Sequence, residues 1–193
     1  MTQLAVLQAI RLKGRVSRED LAATLGGDVD GPVDDLVEAG LVVDGPALRL
    51  SPEGRARLEQ LLTLERQQTD AAAVLAAYGQ FRSLNREFKA LVTDWQLKSG
   101  QPNTHDDPNY DAAVLARLDE VHHRVTPVVN AAAAELPRLG RYATKLQTAL
   151  DRVRAGQTMW LSRPLIDSYH TVWFELHEEL ILAAGLTREA EDA

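Results

Sequence analysis

The chain has 193 residues, a formal net charge of −7 and no cysteine. The lack of cysteine excludes disulfide bonds, thiol catalysis and cysteine-ligated metal sites. The acidic balance does not favour a generic nucleic-acid binder, although local patches of charge can override it. No apolar run of membrane-spanning length and no secretory leader is recognised, so we expect a globular cytoplasmic protein without a membrane partner.

Residues 1–57 follow the order of elements of a winged helix-turn-helix domain. Apolar residues at helical spacing predict a first helix that ends near Gly14, a second helix capped by Ser17 and a third helix that ends at Gly40. The segments LVV and ALRL predict two short β-strands around a DGP turn, and Ser51 starts the next helix. The expected fold class is therefore mainly α: an N-terminal winged helix-turn-helix with a short β-wing, followed by an all-α helical bundle.

The segments GRVSREDLAATLG, LVEAGLVV and LRLSPEGRARLEQLL resemble the MarR-type winged-helix family, over about residues 1–65. In that family the third helix enters the major groove of DNA, the wing touches the backbone, and long helices outside the winged domain form a dimer. The resemblance implies a DNA-binding transcriptional regulator that is a homodimer, with a C-terminal helical domain for effector binding and dimerisation.

The third helix does not have the side chains that usually read bases. It presents Asp30, Asp34, Asp35 and Glu38, and no Arg, Lys, Ser, Thr, Asn or Gln. Carboxylates at this position should repel the phosphates that line the groove. DNA contact is therefore expected mainly through the basic flanks and the wing, at Arg15, Arg18, Arg49, Arg55 and Arg57. The acidic helix leaves an alternative open: a winged-helix module that regulates or binds another protein and does not bind DNA.

Residues 58–98 are expected to be an almost continuous connecting and dimerisation helix. The segment 58–64 is apolar enough to pack against a partner subunit. Asn85 lies on a seam of apolar residues, where it would either fix the register of a dimer or form a hydrogen bond inside a monomeric bundle. The seam has heptad spacing: Val74, Tyr78, Phe81, Asn85, Phe88, Val92 and Trp95.

Residues 99–189 are expected to form a C-terminal helical domain packed on a helix over residues 163–184. Ser162 is the predicted N-cap of that helix, and Gly185 the residue just past its end. A helical projection places His170 and His177 inside the apolar arc and the carboxylates of Glu175 and Glu179 on the polar side.

Histidines and aromatic residues of this domain predict an internal ligand pocket. The candidates are His122, Tyr169, His170, Trp173 and His177. The imidazoles of residues 122, 170 and 177 would bind a small-molecule effector or a divalent metal such as Zn²⁺, and the architecture is similar to that of the metal-binding helical domains of the GntR group. In the alternative interpretation each histidine forms a hydrogen bond within the core. No other cofactor is expected.

Arg141, Lys145 and Arg152 align on one side of a helix over residues 138–155 and would hold an anionic ligand or form a solvated face. There is no glycine-rich phosphate loop, nucleophile elbow or zinc-protease motif, so an enzyme is not expected. Two alternatives remain. One is a histidine-lined bundle site with a catalytic role. The other is a relation of YHTVWFELHEELI to the helical extensions of phosphoenolpyruvate-utilising enzymes.

Overall fold

A computed structural model describes residues 1–186 of the chain. It is mainly helical, with a few short antiparallel strands, as the sequence predicts. The described chain divides into two compact units, Met1–Gln68 and a second unit from Thr69 onward. This division falls later than the expected boundary at residue 57, because the helix that starts after Ser51 continues to Gln67. Within residues 1–186, no helix has the length and hydropathy needed to cross a bilayer.

The first unit consists of helices around a small hairpin. Its helices are α1 (Gln3–Lys13), α2 (Arg18–Leu25), α3 (Asp30–Glu38) and α4 (Pro52–Gln67), and strands β1 (Val42–Val43) and β2 (Arg49–Leu50) pair antiparallel between α3 and α4. The side chains of Ser17 and Ser51 cap α2 and α4, as predicted, by accepting from the N–H groups of Asp20 and Gly54. The core of this unit is made of buried aliphatic residues, among them Leu7, Ile10, Leu21, Val33, Leu36, Leu48 and Leu58.

Gly54 allows the start of α4 to lie directly against the chain that leads into β1. Ser51 Oγ donates to the carbonyl of Gly40 at 2.7 Å and accepts from the N–H of Gly54 at 2.9 Å. A Cβ atom added at Gly54 would lie 1.9 Å from the carbonyl oxygen of Leu41. Any larger residue at position 54 would therefore push α4 away from the hairpin.

The second unit is a helical bundle. It contains α5 (Ala71–Gln96), α6 (Pro108–Glu135), α7 (Gly140–Arg154), α8 (Met159–Ser162) and α9 (Tyr169–Ala183). The hairpin of β3 (Leu97–Lys98) and β4 (Gln101–Pro102) joins α5 to α6, and a 3-10 turn at Pro137–Leu139 precedes α7. All the heptad residues predicted from Val74 to Trp95 are buried, which confirms that face of α5.

The predicted continuous helix over residues 58–98 is interrupted before α5. The helix α4 ends at Gln67, and the carboxylate of Asp70 accepts from the N–H groups of Ala72 and Ala73, so it caps the start of α5. Asn85 lies inside the bundle, where its Oδ1 accepts from the indole N–H of Trp173 at 2.9 Å. Of the two roles considered for Asn85, the structure shows the bond within one chain.

The helix predicted over residues 163–184 is shorter than expected. Its N-cap is Ser168 instead of Ser162, because the Ser168 hydroxyl accepts from the N–H of Thr171, and α9 begins at Tyr169. Between α8 and α9, Leu165 has a φ of +67° and is fully exposed. Helix α6 continues through Pro127.

Candidate functional site

Two arginines of the first unit lie side by side at the hairpin. Val16 and Leu48 exchange two backbone hydrogen bonds, of 3.2 and 2.8 Å, and so form an antiparallel bridge. This register places Arg15 beside Arg49, on the side opposite to the buried Val16 and Leu48. Both arginines are exposed, and within residues 1–186 neither side chain has a carboxylate partner. Like charges at facing positions repel each other, and a bound anion would relieve that repulsion. We call this pair the arginine edge.

Arg18 is bound within the first unit and does not extend the arginine edge. Its guanidinium lies 2.7 Å from Asp44, 2.8 Å from Asp34 and 3.4 Å from Asp30. Hydrogen bonds to Asp44 and Asp34 raise the pKa of Arg18 above its ordinary value. The hydrogen bond from Arg18 in turn lowers the pKa of the Asp44 carboxyl. Three carboxylates therefore compete with any phosphate for this side chain, which makes Arg18 a weaker candidate for DNA contact than Arg15 and Arg49.

Two further predicted DNA contacts, Arg55 and Arg57, differ in whether other side chains bind them. Arg55, in the first turn of α4, is exposed and has no side-chain partner among the described residues. Arg57 is held by Gln3 at 3.0 Å and by Gln60 at 3.4 Å. Neutral amides do not cancel its charge, so Arg57 keeps its positive field but is less free to reorient.

The exposed face of α3 is acidic, as the sequence predicts. Val33 and Leu36 are buried, and the exposed charged positions of this helix carry only carboxylates: Asp30, Asp34, Asp35 and Glu38. Arg18 compensates Asp30 and Asp34, whereas Asp35 and Glu38 have no partner within the described chain. This face offers acceptors to a basic partner and does not offer donors to the base edges of DNA.

In the second unit, His122 lines an open cleft between α6 and α7. The cleft has a volume of about 470 Å³. Its lining comes from both helices: Asp119, His122, His123, Thr126, Pro127, Asn130, Gln147 and Arg154. Pro127 has no N–H, so it cannot donate the usual helical hydrogen bond to the carbonyl of His123.

The hydrogen bonds of His122 define its tautomer. Nε2 lies 3.1 Å from Oε1 of Gln147, and Nδ1 lies 3.2 Å from the hydroxyl of Tyr169. An amide oxygen only accepts, so Nε2 carries the proton, and Nδ1 accepts from the Tyr169 O–H. Burial lowers the pKa of His122 and raises that of Tyr169 well above its ordinary value, so the neutral forms of both groups are favoured.

The five predicted pocket residues do not share one cavity. Only His122 lines the cleft, and Tyr169 reaches it through the hydrogen bond. Trp173 stacks on Phe88, with ring centroids 4.4 Å apart, inside the bundle core. His177 is buried with its ring centroid 5.4 Å from that of Phe81.

His170 lies on the exposed side of α9, which corrects its predicted inward position. Because α9 starts at Tyr169, residue 170 belongs to the first turn, where its exposed ring lies at the edge of the core, 6.0 Å from the centroid of the Phe88 ring. In the part of the chain that the structure describes, no group of three histidine, aspartate or glutamate side chains is placed to hold a metal ion. The shared histidine site expected from residues 122, 170 and 177 is therefore not formed.

The predicted anion-binding ridge is largely occupied by carboxylates of the same chain. Arg141 binds Glu179 at 3.1 Å, and Lys145 binds Asp167 at 2.8 Å. Arg152 remains on the surface, where its guanidinium lies 5.2 Å from the centroid of the Trp160 ring. A phosphate or carboxylate ligand would have to displace internal partners at two of the three predicted positions.

Glu179, which was predicted to face solvent, is fully buried. Its carboxylate accepts from Arg138 and Arg141 and from the Tyr142 hydroxyl, so its charge is compensated inside the unit. Glu175, one helical turn earlier, is buried as well.

Protein-family models, curated proteins and solved structures give no match to this chain. Its function is therefore inferred from the two features described above, the arginine edge in the first unit and the His122 cleft in the second.

Proposed function

We propose that the chain is a winged-helix transcriptional regulator whose first unit contacts the DNA backbone and whose second unit binds an effector. The order of three helices, a hairpin and a fourth helix in residues 1–67 supports the winged-helix interpretation. The observation that carries DNA contact is the arginine edge, because Arg15 and Arg49 lie together, exposed and without a carboxylate partner in residues 1–186. Two adjacent guanidiniums suit the oxygens of a phosphate.

The proposed contact is with phosphates and not with bases. The exposed charges of α3 are carboxylates, so insertion of this helix into the major groove would be unfavourable. Binding through the arginine edge, with Arg55 and Arg57 nearby in sequence, would be mainly electrostatic. Its affinity would depend strongly on salt and weakly on sequence.

The effector site that we propose is the His122 cleft. Its volume of about 470 Å³ is in the range of small-molecule pockets, roughly 300–1,000 Å³. A perturbed histidine pKa among convergent polar groups is a further mark of a binding site. We further propose a cytoplasmic homodimer, supported by Leu64 on α4, half of whose surface is exposed.

DNA binding can be tested with the full-length chain and a fluorescently labelled duplex at low salt. We expect Arg15→Ala with Arg49→Ala to weaken binding about tenfold or more, because two charge-assisted phosphate contacts are lost. The matched control is Arg82→Ala, since Arg82 is an exposed arginine of α5 without a side-chain partner in residues 1–186. Failure of the wild-type chain to bind any duplex at low salt would overturn the proposal.

A second candidate function, a docking module for a protein with a basic segment, is favoured by Asp35 and Glu38. Both are exposed on α3 and have no partner within the described chain. The two candidates respond oppositely to charge changes. Asp35→Lys with Glu38→Lys should abolish binding to a basic protein partner and should strengthen binding to DNA, whereas removal of the arginine edge should affect DNA only.

A further inference from the structure

A directed series of hydrogen bonds joins three helices of the second unit. The amide N–H of Gln147 on α7 donates to Asp151 at 2.8 Å, and the Gln147 amide oxygen accepts from Nε2 of His122 on α6. His122 Nδ1 in turn accepts from the hydroxyl of Tyr169 on α9. While His122 is neutral, its Nε2 donates and its Nδ1 accepts, so the direction of every hydrogen bond in the series is fixed.

Tyr169 connects this series to the start of α9. It is the first residue of that helix, it follows the buried cap Ser168, and its ring packs against Phe88 with centroids 5.5 Å apart. Among the described residues, His122 is the hydrogen-bond partner of the buried Tyr169 hydroxyl. A buried hydroxyl that loses its acceptor is left with an unfavourable unmet donor.

We propose that His122 is a proton-operated latch that holds the first turn of α9 in place when the imidazole is neutral. When His122 is protonated, both ring nitrogens carry hydrogen, and Nδ1 can no longer accept from Tyr169. The hydroxyl must then rotate or move away, and the first turn of α9 loses an anchor to α6. In this proposal the proton is a regulator that acts at the effector cleft of the proposed function. The proposal does not depend on DNA binding.

Charged groups around His122 act on its protonation in both directions. Asp119 on α6 and Asp151 on α7 favour the charged ring, and Arg154 on α7 disfavours it. Arg154 is itself bound to Asp119 at 2.9 Å, and the exposed His123 lines the same cleft. From α9, the group that faces the ring is the neutral Tyr169 hydroxyl. Burial is the largest influence on the pKa of His122 and lowers it.

The direction of the pH dependence follows from this lowered pKa. An unfolded chain protonates His122 near its ordinary pKa of about 6.5, whereas the folded chain resists protonation. The latch is therefore complete above about pH 6.5. The free energy that it contributes to stability decreases as the pH falls below 6.5. It is lost once the pH has passed the lower pKa that His122 has in the folded chain. Acidification should loosen the start of α9 before it unfolds the rest of the unit.

The test uses the full-length chain labelled with ¹⁵N in histidine, titrated from pH 8 downward and observed by NMR. At neutral pH we expect the Nε2-protonated tautomer of His122 and a protonation midpoint below 6.5. Hydrogen exchange of the Thr171 and Val172 amides, which bond to Ser168, should become about tenfold faster after protonation, once corrected for intrinsic exchange. An Nδ1-protonated tautomer, or a midpoint at or above 6.5, would overturn the latch.

Two variants separate the latch from a general effect of acid. His122→Asn should remove the pH dependence of exchange at Thr171 and Val172, whereas His105→Asn, in the loop between β4 and α6, should leave it unchanged. If His122→Asn does not fold, Tyr169→Phe keeps the ring and removes the hydroxyl. It should raise the midpoint of His122 toward 6.5, because neutral Nδ1 loses its donor. An unchanged midpoint in Tyr169→Phe would contradict the proposal.

Discussion

The two units of this chain use aligned basic side chains in opposite ways. On α7, Arg141 and Lys145 bind Glu179 and Asp167, so their charges are part of the structure of the bundle. At the hairpin of the first unit, Arg15 and Arg49 lie together without a carboxylate partner in the described chain. In the sequence both sets look like anion sites. The difference teaches that a basic cluster is available to a ligand only when the fold does not supply its counter-charge.

The largest effect is expected from removing a carboxylate that compensates the basic side chains of the second unit. Glu179→Gln would remove the negative charge that Arg138 and Arg141 share inside the bundle, and should lower the free energy of unfolding of the second unit by about 3–5 kcal/mol. Tryptophan fluorescence in urea measures this unit selectively, because Trp95, Trp160 and Trp173 all lie in it.

The control for Glu179→Gln is the exposed pair of Glu87 and Arg124, which forms two hydrogen bonds of 2.6 and 2.9 Å. Glu87→Gln should change the free energy of unfolding by no more than about 1 kcal/mol, because surface ion pairs are screened by solvent. Equal effects of the two substitutions would mean that the buried network does not stabilise the bundle.

In the first unit, Gly54→Ala tests whether DNA binding by the arginine edge depends on the packing of α4 against the hairpin. The new Cβ would clash with the Leu41 carbonyl, and the first unit should lose roughly 3 kcal/mol of stability. DNA binding should weaken although no charge has changed. Gly31→Ala, where no atom lies within 4 Å of the added Cβ, is the matched control and should be within about 1 kcal/mol of wild type. Circular dichroism and amide exchange report on this unit, which has no tryptophan.

Asn85→Leu tests whether another buried polar side chain of the second unit stabilises the fold. The substitution leaves the buried indole N–H of Trp173 without its acceptor and should cost about 2 kcal/mol. Sedimentation should show the same oligomeric state for the variant and the wild type, because the Asn85 bond is formed within one chain. A change in oligomeric state without a loss of stability would instead place Asn85 at a subunit interface.

The smallest effect on stability is expected for the arginine edge itself. Arg49→Ala removes an exposed side chain without an internal partner and relieves repulsion from Arg15, so the free energy of unfolding should change by less than about 0.5 kcal/mol. Thermal unfolding followed by circular dichroism measures this directly. A loss above about 1 kcal/mol would show that Arg49 has a structural role.

The order of elements was predictable from the sequence because local signals determine it. Ser17 and Ser51 cap helices where expected, and the seam from Val74 to Trp95 is buried because its spacing matches the helical repeat. The start of α9 was mispredicted because two serines, Ser162 and Ser168, both suit an N-cap, and only tertiary packing chooses between them.

The candidate site was less predictable because it depends on which helices meet. A helical projection reports which residues share a face, but a face covered on several sides buries charged groups such as Glu179 when a neighbouring helix supplies arginines. The carboxylates that bind Arg18 come from α3 and from Asp44 after β1, and their meeting could not be read from spacing. For His122 the alternative interpretation is confirmed, because its ring forms a hydrogen bond within the core, to Tyr169.

The most direct test of the central claim is the salt dependence of DNA binding by the wild-type chain and by Arg15→Ala with Arg49→Ala. Contacts from Arg15, Arg49 and Arg55 predict that the logarithm of the binding constant falls against the logarithm of salt concentration with a slope of roughly −3, and that the double variant reduces this slope by about 2. Absence of binding by the wild type, or an unchanged slope in the variant, would contradict the claim that the unpaired arginines of the first unit are a phosphate contact.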